Sequence, residues 1–470
     1  MTSTPHGVTP TALAAWIAGT TGAAVLPQRH AGEAAAVATP LRLVDTLDLT
    51  PHGVVAIVLD AAGRHCAVPL VEHREGWRRA GAGDGLATAL TALVLRGETA
   101  PGQRFEVTRW AHATGGRVVM ALAAEGPAET LGEAPLERAV DVDQTNESVV
   151  VGEKVVVKWT VRPATGPEPA PDRLAALVAA GFTGMPRPWG LLRWRAPDGE
   201  AAAPVLVATV VAYLADARDG WDWAVEDVRA VARGDLSLAD AVAPWSQIGD
   251  LVARMHLALP QREPASDAVA GRWRAGALAE LDEALTVVDG PEGERLLEHA
   301  ATLRMIVDRL GNASGTAVQD IHGDLHVGQM LRWRAAGDQA PSYAVTDFDG
   351  NPVLSPDDRA APSPATVDVA GLLQSLDHVG RVVSHRTEHV PPALVEDWIA
   401  ASQGGALDAY RGALAAAGRS HLLDESLLPA LRVRQVVREY LYAARHLPHW
   451  RYVPHSALPA LIAQTPGRPV

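Results

Sequence analysis

The apolar positions along this chain change their period near residue 214. Before that point they form short β-branched runs separated by Gly, Pro and Asp, such as Val54–Leu59 and His65–Leu70, with one helical stretch at Leu86–Leu95. After it they recur at steps of three and four over Leu238–Leu259 and Glu292–Leu310, the period of an amphipathic helix. The pattern predicts an α+β chain whose β-rich half precedes a helical half.

The clearest single element is ESVVVGEKVVVKW, from Glu147 to Trp159. Two valine-rich runs are joined by a Gly-Glu-Lys turn, and β-branched residues around a central glycine predict a β-hairpin. A Pro- and Gly-rich break follows, and then the pattern predicts a helix from near Asp172 and a strand at Val205–Val211.

A chain of 470 residues is too long for one ordinary core, so we expect several domains. The pattern divides them into a small α+β module over residues 1–105, a β-rich lobe over 106–213 and a helical lobe over 214–470. Within the helical lobe we predict two short strands, at Val318–His322 and Tyr343–Phe348.

Composition excludes several classes of protein. The net charge of −14 argues against a nucleic-acid partner, because neutralising phosphates requires a basic patch. The single cysteine, Cys66, excludes an intramolecular disulfide and fits a reducing compartment. No long uncharged apolar run predicts a membrane span, and residues 1–19 lack the basic start of an export signal. We expect a cytoplasmic protein.

Lysine is nearly absent, since only Lys154 and Lys158 occur in the whole chain. Codon bias in a GC-rich genome explains the general replacement of lysine by arginine. Lys158 ends an apolar run, VVVK, like the strand whose lysine contacts nucleotide phosphates in kinases. A retained lysine there suggests that a compact point charge is needed. The turn 144–148, which includes Ser148, stands where a phosphate-covering loop would lie, but it has no glycine.

The segment QDIHGDLHVGQ, residues 319–329, carries the strongest chemical signal. Phosphoryl transfer needs a carboxylate that accepts the proton of the attacking hydroxyl, and an oxygen ligand that holds a metal. His322, Asp324 and Gln329 have the spacing of a kinase catalytic loop, with Gln in place of Asn. We expect Asp324 to be the base and the Gln329 amide oxygen to bind Mg²⁺.

A second acidic motif, Asp-Phe-Asp-Gly, begins at Asp347. It corresponds to the kinase motif whose Asp holds Mg²⁺ against the β- and γ-phosphates. Asp349 is either a second metal ligand or the start of the next turn. The two short strands predicted in the helical lobe would form a hairpin that brings Asp324 and Asp347 side by side.

These residues resemble the maltokinase-like branch of the aminoglycoside-phosphotransferase (choline-kinase-like) superfamily, and residues 1–105 resemble the cap of maltokinases. The matching segments are QTNESVVVGEKVVVKW (144–159), DGW (219–221), RMHLAL (254–259), IHGDLHVGQ (321–329), TDFDGNP (346–352), DVAGLL (368–373) and EYLYAARHLPHWRYVP (439–454). The resemblance implies a protein-kinase-like fold of two lobes, with the nucleotide between them and Mg²⁺ as cofactor.

Carried over by position, the resemblance implies that Asp324 is the base, that Gln329 and Asp347 hold Mg²⁺, and that Lys158 contacts phosphate. It also implies a hinge at Val210–Tyr213, where Val211 and Tyr213 would receive adenine. Kinases pair the phosphate-contacting lysine with a helical Glu. In this chain the nearby acids are Glu168 and Asp172, and the sequence does not decide between them.

The metal motif indicates the substrate. Maltokinases usually have D-F-E-G-E-P, whereas this chain has DFDGNP, which resembles the glucosamine kinases of the same branch. An amino sugar requires a carboxylate for its ammonium group. The resemblance places the helix of Glu439 beside the sugar, so Glu439 is the predicted partner, with Tyr442 and Arg445 on the same helical face. The alternative is that Glu439 and Arg445 form surface salt bridges.

Further substrate contacts are predicted from the same neighbourhood. Gln319, Asp320 and Trp450 are additional candidates, and His326 either contacts substrate or lies at the surface. Sugar rings stack on aromatic faces, and the tryptophans that could line a sugar cleft are Trp221, Trp223, Trp398 and Trp450.

Three other polar residues are given structural roles. His322 is expected to hydrogen-bond the catalytic loop, His256 to be a satisfied core histidine, and Asp368 to be the N-cap of its helix.

The sequence therefore predicts a monomeric, ATP-dependent sugar kinase that converts glucosamine to glucosamine 6-phosphate. A maltokinase forming maltose 1-phosphate is the first alternative, and an aminoglycoside-type phosphotransferase is the second. The third is a pseudokinase that binds nucleotide or sugar without turnover.

Overall fold

The computed structural model describes residues 10–25, 41–60, 62–74, 76–97, 104–110, 137–140, 147–163, 166–197, 203–334 and 337–463. The chain divides into two compact units. The first unit comprises Met1–Pro171 and Pro186–Ala215, and the second comprises Asp172–Met185 and Asp216–Val470. Residues 1–9 and 144–146, on which the export-signal and phosphate-loop predictions partly rest, lie outside the described residues.

The strands are β1 Arg42–Thr50, β2 Gly53–Leu59, β3 His65–His73, β4 Gly76–Arg79, β5 Phe105–Arg109, β6 Glu137–Ala139, β7 Glu147–Val151, β8 Val155–Trp159, β9 Pro188–Trp194, β10 Val205–Ala212, β11 Met330–Trp333 and β12 Ser342–Val345. The helices are α1 Pro10–Ala18, α2 Gly22–Val25, α3 Leu86–Arg96, α4 Pro169–Ala179, α5 Gly220–Arg233, α6 Leu238–Ala258, α7 Asp267–Val287, α8 Gly290–Asp308, α9 Pro356–Ala360, α10 Thr366–Arg386, α11 Pro392–Ala416, α12 Leu428–His446 and α13 Tyr452–Ala463.

The first unit contains two antiparallel sheets, one in the order β1-β2-β3-β4 and one in the order β5-β9-β10-β8-β7-β6. Their buried residues share a core: Val55 of the first sheet, Leu90 of α3 and Val157 of the second sheet belong to one cluster. The Trp194 indole N–H also donates to Asp45 across the sheets, at 2.8 Å. The boundary predicted between residues 105 and 106 therefore falls inside a single core.

The hairpin predicted at Glu147–Trp159 is present, with strands ending at Val151 and resuming at Val155. Val155, Val157 and Trp159 are buried on one face, while Val156 and Lys158 are half-buried on the other. The register places Lys158 between Ser148 on β7 and Thr209 on β10. Because directly opposed residues share a face of a sheet, these three side chains lie in one row.

The second unit is helical apart from the hairpin β11–β12. The strand predicted at Val318–His322 does not form. Its second residue, Gln319, makes only isolated bridges, to Gln261 and Ser363. The segment is extended, but its backbone groups pair with separate loops instead of one partner strand. None of the described helices has the length and apolarity needed to cross a membrane.

The start of α3 depends on a carboxylate from a different element. The Glu137 side chain, on β6, is 8% exposed and accepts from the Gly83 and Gly85 amides at 2.9 and 3.1 Å. Its other oxygen accepts from the Thr88 amide and hydroxyl, both at 2.8 Å. Gly85, the residue before α3, has no side chain to cap the helix. Glu137 supplies the missing acceptor, which also suits the positive helix end.

We therefore expect Glu137→Ala to weaken the local opening free energy around residues 83–88 by roughly 2 kcal/mol, the size of a charged hydrogen bond. Hydrogen exchange of those amides measures it. Glu72→Ala, which removes an exposed carboxylate of β3, is the matched control and should leave them unchanged. Equal protection in wild type and Glu137→Ala would contradict the capping role.

Candidate active site

The turn that carries Asp324 is held from beneath by a buried carboxylate. Asp368, 1% exposed, accepts from the His322 amide at 2.7 Å and from the Gly323 amide at 2.8 Å. His256 contacts the same carboxylate at 3.0 Å through Nε2 and the Tyr410 hydroxyl at 2.8 Å through Nδ1. These hydrogen bonds lower the pKa of Asp368, although burial opposes them. His256 is therefore the satisfied core histidine that was predicted.

The predicted N-cap role of Asp368 is wrong. Helix α10 begins at Thr366, and Ala365 occupies the N-cap position. Asp368 lies inside the first turn of the helix, and its side chain serves the catalytic turn instead of its own helix end.

Two glycines allow the backbones of two helices to contact the backbone of the same turn. A Cβ on Gly220, the first residue of α5, would lie 1.8 Å from the Val327 carbonyl oxygen. A Cβ on Gly371, in α10, would lie 2.6 Å from the Leu325 carbonyl oxygen. Such separations are impossible for any larger residue, so both positions require glycine.

His322 links the turn to the strand that leads to the acidic motif. Its Nε2 lies 2.9 Å from the Thr346 carbonyl and donates to it, while Nδ1 accepts from the Asp324 amide at 3.3 Å. The ring also packs on Phe348, with centroids 5.1 Å apart. Burial lowers the pKa of His322. The structural role predicted for His322 agrees with these contacts.

The hairpin β11–β12 brings the predicted metal ligands together. Gln329 directly precedes β11, and its carbonyl accepts from the Thr346 amide at 3.0 Å. Asp347 follows Thr346 in the sequence, so its backbone lies close to that of Gln329. Asp347 has φ of 65°, a left-handed conformation that is uncommon for non-glycine residues. The hairpin that positions Asp347 is thus 330–345, not the predicted pairing that involved 318–322.

Burial raises the pKa of Asp324, and the negative charges of Asp347 and Asp368 raise it further. The neighbouring imidazoles of His326 and His322 act in the opposite direction. Asp324 and Asp347 are therefore close enough for their charges to interact, as the sequence predicted.

The oxygen donors near Asp324 suit a hard cation. Gln329, Asp347 and Asp349 are half-buried and offer one amide and two carboxylate groups. Mg²⁺ prefers oxygen ligands and usually retains water or phosphate oxygens in its shell. In the part of the chain that the structure describes, no three His, Cys, Asp or Glu side chains are placed to hold a metal alone. This donor set fits a metal that is shared with a phosphate ligand.

His326 is occupied within the turn. Its Nδ1 accepts from the Gly328 amide at 3.0 Å, and its Nε2 lies 3.4 Å from the Gln329 side-chain nitrogen. With Nδ1 accepting, a neutral ring carries its proton on Nε2, so the second contact pairs two donors and we assign it no role.

The nucleotide-binding candidates lie in the first unit. Val211 is opposite Val156, and thus shares the face of Lys158 and Ser148. Tyr213 follows β10, and its backbone amide already donates to the Lys154 carbonyl at 2.8 Å.

The acids considered as partners of Lys158 differ in position. Glu168 precedes α4, and its carboxylate accepts from the Leu206 amide. Asp172 lies in the first turn of α4.

Two of the predicted substrate contacts have other partners. Gln319 is 1% exposed, and its amide donates to the His256 carbonyl at 3.0 Å, so it is a core residue. Asp320 forms a two-pronged ion pair with Arg262, at 3.0 and 2.7 Å. The burial of Gln319 argues against a contact with substrate, whereas Asp320 stays a predicted substrate contact.

Glu439 occupies a mostly buried position on α12, with its side chain 20% exposed. His378 Nδ1 lies 3.0 Å from one carboxylate oxygen, and the Gln435 amide donates to the other at 3.3 Å. Arg445 forms a surface salt bridge with Glu283, as the alternative held for that residue, whereas Glu439 pairs with the buried His378. Glu439 raises the pKa of His378 despite the burial of that ring.

The aromatic candidates separate into two groups. Trp223 and Trp398 are fully buried and pack on Trp245, so the prediction that they line a cleft is wrong. Trp221, Tyr442 and Trp450 line a cavity of about 640 Å³, and Trp221 meets Trp450 edge to face at 5.8 Å. The arginines that line the same cavity are Arg218, Arg229 and Arg386.

Sequence reasoning missed Arg438. Glu280 holds its guanidinium at 3.0 and 2.8 Å, and its charge interacts with that of Asp324. The only signal was its place beside Glu439, and adjacent residues on a helix do not face the same way.

No protein-family model matches this chain. Among curated proteins, it is 48% identical over 450 residues to the glucosamine kinase of Streptacidiphilus jiangxiensis, covering 94% of this chain and 96% of that protein. It is 43% identical over 400 residues to the glucosamine kinase of Mycolicibacterium smegmatis, covering 84% and 93%.

Solved structures agree with these relatives. A glucosamine kinase in complex with glucosamine, ADP and inorganic phosphate is 45% identical, with a TM-score of 0.76 and coverage of 95% of this chain and 98% of that one. A second crystal form of a glucosamine kinase gives a TM-score of 0.79, at 45% identity and coverage of 96% and 99%. The predicted fold class, a β-rich part and a helical part of kinase type, is confirmed. By this identity along nearly its whole length, the chain belongs to the glucosamine kinase family.

Proposed function

We propose that this protein transfers the γ-phosphoryl group of ATP to the 6-hydroxyl of glucosamine. The observation that carries the proposal is the position of Asp324, on a turn fixed by Asp368, next to the hairpin end that presents Asp347. A base beside a set of oxygen donors is what phosphoryl transfer requires. The choice of glucosamine as the sugar substrate rests on the similarity to glucosamine kinases.

Asp324 would orient the attacking hydroxyl and accept its proton. Its pKa, raised mainly by burial, makes it a stronger base than an exposed carboxylate. Arg438, held by Glu280, adds a positive charge near the same carboxylate, which favours its ionised form.

Mg²⁺, when bound, would neutralise phosphate charge in the transition state. Gln329, Asp347 and Asp349 are the residues that would hold it. In the first unit, Lys158 and Ser148 lie in one row and would bind phosphate oxygens of the nucleotide. Val211 and Tyr213 would lie beside its adenine ring.

Glu439 is the proposed partner of the substrate ammonium. A carboxylate can accept about four hydrogen bonds, so the contacts with His378 and Gln435 leave room for a further donor. A neutral His378 can donate from Nδ1 to Glu439 while its Nε2 accepts from Gln374, at 3.1 Å. Tyr442 and Trp450 would offer the sugar an aromatic wall.

Asp324→Asn should reduce kcat by at least about tenfold while ADP binding stays nearly intact, because the change keeps the size and removes the basic oxygen. Initial rates with ATP and glucosamine, together with ADP calorimetry, test this. Asp357→Asn, an exposed acid of α9, is the control. A variant that keeps most of its activity would remove Asp324 from the role of base.

Asp347→Ala should weaken ADP binding in the presence of Mg²⁺ but not in its absence, since the carboxylate is expected to act through the metal. Titrations with and without Mg²⁺ give the two affinities. If the metal improves ADP affinity by the same factor in wild type and variant, Asp347 is not a metal ligand.

Glu439→Gln should lower kcat/KM for glucosamine by about 100-fold and leave the slow reaction with glucose nearly unchanged, because only the amino sugar needs the carboxylate. Glu283→Gln removes a surface carboxylate that pairs with Arg445, and should behave as wild type. Rates with glucosamine, glucose, N-acetylglucosamine and maltose decide the substrate. Preference for maltose in the wild type would favour the maltokinase alternative.

A further inference from the structure

Arg173 is a buried arginine whose described hydrogen bonds all go to backbone carbonyls. It lies on α4 within the second unit and is 3% exposed. Its Nη1 donates to the His322 and Phe348 carbonyls, both at 2.9 Å, and its Nη2 donates to the Arg359 carbonyl at 3.0 Å.

Two of these acceptors belong to the two loops that carry the proposed chemistry. His322 precedes Asp324 by two positions on the catalytic turn, and Phe348 stands between Asp347 and Asp349. One nitrogen atom, Nη1, therefore joins the turn of the base to the loop of the acidic ligands. A guanidinium is a rigid planar fork, so the three acceptors are fixed relative to one another.

The backbone around the guanidinium leaves space for little else. Gly323 and Gly350 both have positive φ, 83° and 76°. A Cβ on Gly323 would lie 3.3 Å from Arg173 Nη2 and 3.6 Å from the Gly350 Cα. A Cβ on Gly350 would lie 2.8 Å from Arg359 Cγ and 2.9 Å from Arg173 Nη1. The two loops meet at these glycines, and Arg173 lies against both.

The charge of Arg173 also suits this position. Burial lowers its pKa, while the carboxylates of Asp368, Asp320 and Asp349 raise it. The negative charges of these three carboxylates repel one another. The positive guanidinium near them offsets that repulsion.

We propose that Arg173 is a positioning residue that sets the separation between the Asp324 turn and the Asp347–Asp349 loop. It touches neither reacting group and acts through the backbone of both loops. This inference rests on the proposed function, because the two loops are taken to hold the base and the metal ligands. Loss of the hydrogen bonds from Arg173 to the two loops should lower kcat more than it weakens substrate binding, because the transition state requires the base and the metal ligands to be aligned.

The test compares Arg173→Met and Arg173→Lys with Arg295→Met, which removes a half-buried arginine of α8 that donates to the His455 carbonyl. Both Arg173 variants should lose about 100-fold in kcat, the effect of a misplacement of about 1 Å, with KM for glucosamine changed less than about threefold. A lysine keeps the charge but lacks the fork. Wild-type kcat in Arg173→Lys would overturn the bridging role.

Melting temperature and ADP calorimetry separate positioning from stability. Arg173→Met should bind ADP as wild type does without Mg²⁺ and more weakly with it, whatever sugar the enzyme uses. A fall in melting temperature with normal kcat and normal Mg²⁺ dependence would make Arg173 merely structural. Inactivity of the wild type towards every sugar would instead reject the proposed function. The ADP titrations would still show whether Arg173 positions the Asp347–Asp349 loop.

Gly350→Ala supplies a second measurement that leaves Arg173 in place. The added methyl should displace the guanidinium and reduce kcat in the wild-type background, and reduce it less in the Arg173→Met background. The backbone strain at positive φ and the contact of the methyl with Arg359 Cγ are common to both backgrounds, so the difference isolates the contact with Arg173. Additive effects on kcat would contradict the proposal.

Discussion

The buried carboxylate of Asp368 is the group on which the candidate active site depends. Taking an isolated carboxylate out of water costs several kcal/mol, so it is stable there only with donors on its oxygens. The His322 and Gly323 amides and the His256 ring provide them. Satisfying one buried charge therefore fixes the backbone of the turn immediately before Asp324. The hydrogen bonds that stabilise the buried Asp368 are thus the same ones that position the turn of Asp324.

The second constraint is steric. Gly220 and Gly371 bring two helices against the carbonyls of Val327 and Leu325, so the turn is enclosed by backbone on two sides. A turn confined in this way cannot adjust freely when a ligand binds. The side chains that are proposed to act as base and metal ligand on this turn are thus preorganised, which would lower the reorganisation needed in the reaction.

Local signals in the sequence were sufficient where local forces decide the structure. The hairpin at 147–159 formed with its predicted turn, because β-branched density and a glycine act over a few residues. Val318–His322 had a strand-like composition, but its partners come from distant loops that no local pattern reveals. Asp368 was mistaken for a cap for the same reason, since its donors are remote in sequence. The spacing of Asp324, Gln329 and Asp347 could be recognised because the proposed chemistry would restrict it, whereas Arg438 carried no such signal.

Asp347 stands in a backbone conformation that favours glycine, at a cost of about 1 kcal/mol for an L-residue. Replacement by glycine would relieve that strain and remove the carboxylate in one step. Backbone conformation alone therefore favours glycine over aspartate at this position. A ranking of substitutions by backbone strain alone would select against the side chain that is proposed to bind metal.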